Sequence, residues 1–306
     1  MSNNTTNGDV KKTQRIAVIS GKGGTGKSLV TASIGFVLAH CGYKVLLVDM
    51  DLFTGGLTFF LSGLSEKPDR ISRGLLDVFA DKYEDKNKDN QNNCKIDKIK
   101  ISHQFVDGNL FLLPSLSSRR RNVSELTISK DVSTLPQIMN ILFRDVIGME
   151  ESFDYIIFDT RGGSDITSVG SALTCDKLVV VTEADKVSWD TGRILLDAIE
   201  DAWNAYCYDD PFPGVGFILN KNVLPPEGVE TYLKKIWSAK HITTIPLDRD
   251  AIAYFQEDKM PIVEDISCEF SEAIVTGIGD FFDVMVGNSK ISERYINLRI
   301  KAREKK

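Results

Sequence analysis

An eight-residue turn, Gly21-Lys22-Gly23-Gly24-Thr25-Gly26-Lys27-Ser28, constrains this chain more than any other stretch of its sequence. It follows the apolar run Ile16 to Ser20 and leads into a helical pattern from Leu29 to His40. Strand, glycine-rich turn and helix in that order form the context in which G-x-x-x-x-G-K-[ST] wraps a chain of phosphates. Gly21, Gly23, Gly24 and Gly26, with Thr25 among them, let successive backbone N–H groups curl inward, and the helix N-terminus adds the positive end of its dipole. Lys27 then reaches the outer phosphates and Ser28 coordinates Mg2+. The residues themselves point to a nucleoside triphosphate as ligand.

Around this turn, short aliphatic runs alternate with helical patterns. The runs are Arg15 to Ser20, Tyr43 to Asp49, Leu110 to Leu113, Tyr155 to Asp159, Lys177 to Thr182, Val215 to Leu219 and His241 to Ile245. Val45-Leu46-Leu47-Val48 and Leu178-Val179-Val180-Val181 do not alternate with polar residues, as befits strands covered by helices on both faces. The predicted fold class is α/β, a doubly wound and largely parallel sheet of the P-loop NTPase type. Helix-spaced apolar residues recur over Gly26 to His40, Val187 to Trp203 and Phe270 to Val286. The predicted organisation is a disordered N-terminal tail over 1–13, one ATPase domain over 14–288 and a basic tail or helix over 289–306. Asp81 to Lys100, rich in charge and poor in large apolar residues, reads as a solvated loop or a short edge element.

Composition narrows the function classes. With 42% hydrophobic and 26% charged residues, the chain has the makeup of an ordinary globular protein, and its net charge of −6 argues against a wholly basic nucleic-acid coat. Cys41, Cys94, Cys175, Cys207 and Cys268 lie far apart with no C-x-x-C pair, against a zinc site or disulfide framework and in keeping with a reducing cytoplasm. His40, His103 and His241 show no metal-ligand spacing. No apolar leader or membrane-length run is present, so the expectation is a cytoplasmic protein, peripheral at most to a membrane or the nucleoid.

A hydrolase of this kind needs groups that hold Mg2+ and orient a water for in-line attack, and in a doubly wound sheet these sit at strand carboxyl ends. Asp49 and Asp51 end the second run, where either could instead cap the turn that Gly55-Gly56 marks. Asp159 closes the run Phe153 to Phe158 in the Walker B arrangement, and joins Ser28 as a candidate metal residue. Gly162 completes a D-x-x-G spacing, which lets a backbone N–H meet the γ-phosphate and register its loss. Leu219-Asn220-Lys221-Asn222-Val223 has valine where a guanine-reading N-K-x-D run carries its acceptor. That favours ATP, with Asn220 able to pair with adenine or simply to cap a loop.

Gly21 to Ser28 also closely resembles the deviant Walker A motif, K-G-G-x-G-K-[ST], of the ParA/MinD family of P-loop ATPases. In that family the first lysine crosses a dimer interface to the other subunit's nucleotide, so the resemblance implies that role for Lys22, which as a bare residue could also be a solvated loop cation. Val48-Asp49-Met50-Asp51 is similar to the D-x-D of the first switch in MinD-like members. This implies that Asp51 orients the attacking water while Asp49 supports the Mg2+ shell, and makes Lys22, Lys27 and Asp51 the catalytic set. By the same resemblance Asn220 contacts adenine, and the turn at Ile245-Pro246, with Asp248, lies near the base. The implied cofactors are ATP and Mg2+. The implied activity is slow, partner-stimulated ATP hydrolysis by an ATP-dependent homodimer that positions or partitions a cargo. The resemblance runs from about Gln14 to Val275, and MinD-like and TadZ/CpaE-like members resemble the chain more than plasmid ParA proteins do. It departs from the family's frequent D-T-P-P run in having Arg161 and Gly162 at the proline positions.

Other classes predict different features. A nucleotide-binding localisation scaffold differs only in lacking turnover. A P-loop tyrosine kinase would carry a tyrosine-rich tail, whereas the last thirty residues hold Tyr295 alone. An iron–sulfur carrier would need paired cysteines near the second switch, and Cys175 is isolated. The segment Lys290 to Lys306 holds seven basic and two acidic side chains. As a helix it would align Lys290, Arg294, Lys301 and Lys305 beside a stripe of Ile291, Tyr295 and Leu298. Such a helix suits an anionic membrane or a DNA backbone, and equally suits packing on its own domain; Arg119-Arg120-Arg121 is the next basic surface.

Overall fold

The computed structural model describes residues 13–64, 71, 73–84, 98–101, 106, 108–117, 132–148, 153–223, 228–286 and 291–304. The predicted tail apart from Thr13, and Cys94, His103, Arg119-Arg120-Arg121, Lys290 and Lys305, lie outside the described residues. In chain order the elements are β1 (Gln14–Ile19), α1 (Lys27–His40), β2 (Val45–Asp49), α2 (Gly56–Ser62), α3 (Leu75–Glu84), β3 (Ile99–Lys100) and β4 (Leu110–Leu113). There follow α4 (Leu135–Ile141), β5 (Tyr155–Asp159), α5 (Ile166–Ala172), β6 (Lys177–Thr182), α6 (Lys186–Tyr206), β7 (Gly214–Asn222), α7 (Val229–Trp237) and β8 (Lys240–Pro246). The chain ends with α8 (Arg249–Gln256), α9 (Pro261–Glu264), α10 (Glu269–Val286) and α11 (Ile291–Glu304).

The described strands form one sheet in the order β3-β4-β2-β5-β1-β6-β7-β8, parallel throughout except for β3. The doubly wound class therefore holds. From the central β1 the chain moves to one side through β2 and β4, and returns through β5 to build the other side with β6, β7 and β8. A crevice opens beyond the strand carboxyl ends at such a reversal. Register sharpens the point, because Asp49 of β2 lies directly beside Asp159 of β5 and both reach that end.

The continuous apolar runs have a simple cause: every residue of β2 and β5 is buried, on whichever face it points. Ile16, Val18, Leu47 and Ile157 pack with α1 and α10 on one face, while Ala17, Ile19, Leu46, Val48 and Phe158 pack with α3, α4, α5 and α6 on the other. Helix α1 is covered almost all round, which explains its mostly apolar sequence. The stretch Asp81 to Lys100 is bounded by elements rather than being wholly loop, since α3 runs to Glu84 and β3 pairs antiparallel with β4 at the sheet edge.

Past the predicted boundary at 289, the helix of the two forms expected there is present as α11. Helix α11 packs against α10 and α1, with Ile291 and Tyr295 buried. The Tyr295 hydroxyl donates to the Ile262 carbonyl at 2.7 Å, its ring meets His40 edge-on at 5.0 Å, and the buried Arg299 donates to the Val263 carbonyl. Ile291 and Tyr295 of the apolar stripe face inward, while Arg294 and Lys301 face outward. No helix among the described residues is long and apolar enough to cross a membrane.

Candidate active site

The turn after β1 takes the conformation its glycines permit. Gly24 and Gly26 have φ of 80° and 88°, in the left-handed region that favours glycine. Gly21 packs so tightly on the α6 backbone at Thr191 and Gly192 that no side chain would fit there. Lys27 and Thr25 are buried, while Gly23 and Gly24 are exposed with open space where a side chain would stand. This is an open backbone cradle at the head of α1.

Asp159 lies directly behind the cradle and is 1% exposed. It accepts from Thr31 Oγ1 at 3.1 Å and from the Ser28 hydroxyl. Burial pushes its pKa above the usual carboxylate range, opposed by the Lys27 charge and by those two hydroxyls. Asp49 beside it is pushed up to about 7, first by burial and then by the Asp159 charge. Two neighbouring buried carboxylates and a serine hydroxyl suit a divalent cation, which would relieve the carboxylates' repulsion, while Lys27 is left for the phosphates.

The two carboxylates of the first switch divide their roles. Both oxygens of Asp49 are engaged within the protein, one by the Asp51 N–H at 3.0 Å, the other by Thr58 N–H and Oγ1 at 2.8 and 2.6 Å and by Ser115 Oγ at 3.1 Å. Asp49 thus fastens α2 and the end of β4 to the metal side of the crevice. Asp51 is half-buried, lines the crevice, and accepts from the Thr54 N–H at 3.2 Å and from the Thr54 hydroxyl. The capping arrangement that the sequence allowed is therefore present, on the residue that also faces the site.

Lys22 points toward its own chain. Its ammonium lies 2.7 Å from Glu183 and 3.1 Å from Asp185, and these contacts, the Glu183 bond foremost, raise its pKa. Burial alone would raise Asp185, but Ser188 and then Lys22 hold it at about 2, and the same carboxylate caps α6 through the Ser188 N–H at 2.9 Å. Lys221 joins the cluster at 3.0 Å from Glu183 and donates to the Gly24 carbonyl. Sequence reasoning did not assign Glu183, Asp185 or Lys221; the D-x-x-S cap at 185–188 was visible, but its pairing with a lysine 163 positions earlier was not.

Asn220 is where the sequence placed it, at a strand end beside the cradle, but its amide is partly spent. Nδ2 donates to the Thr25 carbonyl at 2.7 Å, in space left by the missing side chain of Gly26. It braces the phosphate loop against β7. Pro246 lines the same crevice, and Asp248 caps α8 through the N–H groups of Asp250 and Ala251 at 2.8 and 3.1 Å.

The second switch lies on the cradle. Thr160 and Gly163 donate backbone N–H groups to Val18 and Ser20 at 3.2 and 2.8 Å, and a Cβ on Gly162 would meet the Gly23 nitrogen at 2.5 Å. Glycine at that proline position is what allows so close an approach. Arg161 is exposed, with its guanidinium 5.3 Å above the Phe53 ring, linking the second switch to the first. One cavity of about 730 Å3 joins Gly23 to Ser28, Asp51, Gly162 and the Pro246–Asp248 turn. Of the predicted residues, Asn220 and Pro246 also line it, whereas Gly21, Lys22, Thr25, Asp49 and Asp159 do not. Among the described residues no group of three or more His, Cys, Asp or Glu side chains gathers to hold a metal, so a cation here would rely on Ser28, the phosphates and water beside the carboxylates.

Comparison with known proteins agrees with this fold. The profile of a family described as AAA domain matches residues 13–206. The chain is 32% identical over 194 residues to the septum site-determining protein MinD of Synechocystis sp., covering 59% of this chain and 62% of that protein. It is 26% identical over 294 residues to MinD of Thermotoga maritima, covering 92% and 85%. Against the first relatives matched it spans 62%, 50% and 46% of their length. The structure of MinD complexed with Mg-ADP from Pyrococcus horikoshii superposes with a TM-score of 0.63 at 23% identity, covering 90% of this chain and 98% of that one.

Proposed function

The chain belongs to the ParA/MinD family of P-loop ATPases, and from that premise we propose that it is an ATP-dependent dimerising switch that positions a cellular cargo. The observation that carries this reading is the single cavity running from the phosphate loop to the Pro246–Asp248 turn, with Asp51 and Gly162 on its wall. ATP lies along it with its phosphates in the cradle and its base toward Pro246. Ser28 would hold Mg2+, with Asp159 and Asp49 behind it, and the bound ion would neutralise charge on the phosphates. Lys27 adds a fixed positive charge. Asp51, half-exposed in the same cavity, orients the attacking water.

Lys22 gives the switch its dependence on a second copy. In the single chain it is satisfied by Glu183 and Asp185. To act on another subunit's nucleotide it exchanges these carboxylates for phosphate, a trade of one anion for another that becomes favourable only when that phosphate is brought near. Hydrolysis removes the incentive and the subunits part.

A scaffold without turnover is the second reading, and the bonds from Thr54 to Asp51 favour it, since they occupy the carboxylate assigned to the water. Phosphate release from ATP in the presence of Mg2+ separates the two. Slow release that rises with protein concentration supports the switch; tight ATP binding with no release above the protein-free rate supports the scaffold.

A further inference from the structure

Four large apolar side chains stand part-exposed around the cavity's far end. Leu247 and Ile252 are 45% and 43% exposed, Phe255 is 44% exposed, and the half-buried Phe60 of α2 completes the group. The rings of Phe60 and Phe255 touch, joining α2 to α8 at the edge of the cavity, with centroids 4.9 Å apart and planes inclined by 48°. Apolar surface left open inside one cavity is surface that a flat apolar ligand face would cover. Phosphates gain nothing from it.

Helix α2 connects that end to the other. Its first residue, Gly56, faces Ser28, with 3.6 Å between an added Cβ and the serine hydroxyl, and its Thr58 is bound twice to Asp49. Phe60 follows two residues later. One short helix therefore touches the phosphate end through its start and the nucleoside end through its aromatic ring.

We propose that Phe60 and Phe255 form a clasp on the base and sugar of the bound nucleotide, so that the nucleoside as well as the phosphates holds α2 in place. The pair is a specificity and positioning device: inorganic polyphosphate fills the cradle but leaves the clasp unengaged. The inference rests on the nucleotide reading above and deepens it.

Calorimetric titration of the full chain with ATP and with inorganic tripolyphosphate, both with Mg2+, tests it. Phe60→Ala and Phe255→Ala should each weaken ATP binding about tenfold, in line with the loss of one aromatic contact to a base. Tripolyphosphate affinity should stay within about twofold, since the cradle is untouched. Phe60→Leu, which keeps apolar bulk, should lose less than Phe60→Ala. Unchanged ATP affinity in both alanine variants overturns the clasp, and so does an equal loss for both ligands, which would mark a general disturbance of α2. Wild-type protein that binds neither ligand overturns the phosphate-loop reading itself, whereas wild type that binds both, with indifferent variants, removes the clasp alone.

Discussion

Replacing Tyr295 by alanine should destabilise the protein by roughly 3–5 kcal/mol, the cost of deleting a fully buried aromatic ring. The side chain is 2% exposed, lies against His40 and donates to the Ile262 carbonyl at 2.7 Å. Tyr295→Phe keeps the ring and strands the carbonyl, for a smaller cost of about 1–2 kcal/mol. Lys301→Ala, on the outward face of the same helix, should stay within about 0.5 kcal/mol of wild type. Urea unfolding reads all three as midpoint shifts with unchanged slope. If Tyr295→Ala unfolds at the wild-type midpoint, α11 is not docked and the basic segment is a free arm after all. A docked α11 also decides how its charge is tested: removing the whole helix would expose the surface under Ile291 and Tyr295, so charge reversal at Arg294 and Lys301 is the cleaner probe of anionic membrane or DNA binding.

Three substitutions examine the site. Lys27→Ala should reduce ATP binding by at least a hundredfold in calorimetry, because it removes the charge buried beside Asp159 and the phosphates; near-normal affinity would refute the cradle. Asp51→Ala should retain ATP and accumulate the dimer while phosphate release falls at least about a hundredfold, and release at the wild-type rate would give the water to another residue. Gly162→Ala, whose new methyl would meet the Gly23 nitrogen at 2.5 Å, should lower stability by roughly 1–3 kcal/mol unless the second switch lifts away. A neutral result by urea unfolding would mean that this segment does not rest on the cradle.

Much of this architecture was legible because strand burial leaves a direct trace: β4, β5 and β6 begin and end where their apolar runs do. Two-residue β3 and the short helices α2, α8 and α9 were not, since a pair of residues or about one to two turns is too short for periodicity to show. The cradle, Asp159 and Gly162 were visible because their chemistry depends on local spacing. Partnerships were not. Asn220 was read as contacting adenine or capping a loop, and neither reading foretold that its Nδ2 donates to Thr25, 195 positions away. Lys22 was assigned to a second subunit, and the carboxylates that hold it here come from beyond β6. The tail shows the same limit: its apolar stripe was evident, but only the surface formed by α1 and α10 fixes which way that stripe faces.

Whether ATP joins two copies of this chain through Lys22, as proposed, is decided by sedimentation velocity with Mg2+ and a non-hydrolysable ATP analogue. Wild type should shift from monomer to dimer with the analogue and stay monomeric with ADP. Lys22→Ala should bind the analogue with near wild-type affinity and sediment as a monomer. A Lys22→Ala protein that dimerises as wild type does, at matched nucleotide saturation, would contradict the account and leave Lys22 as the partner of Glu183 and Asp185 alone.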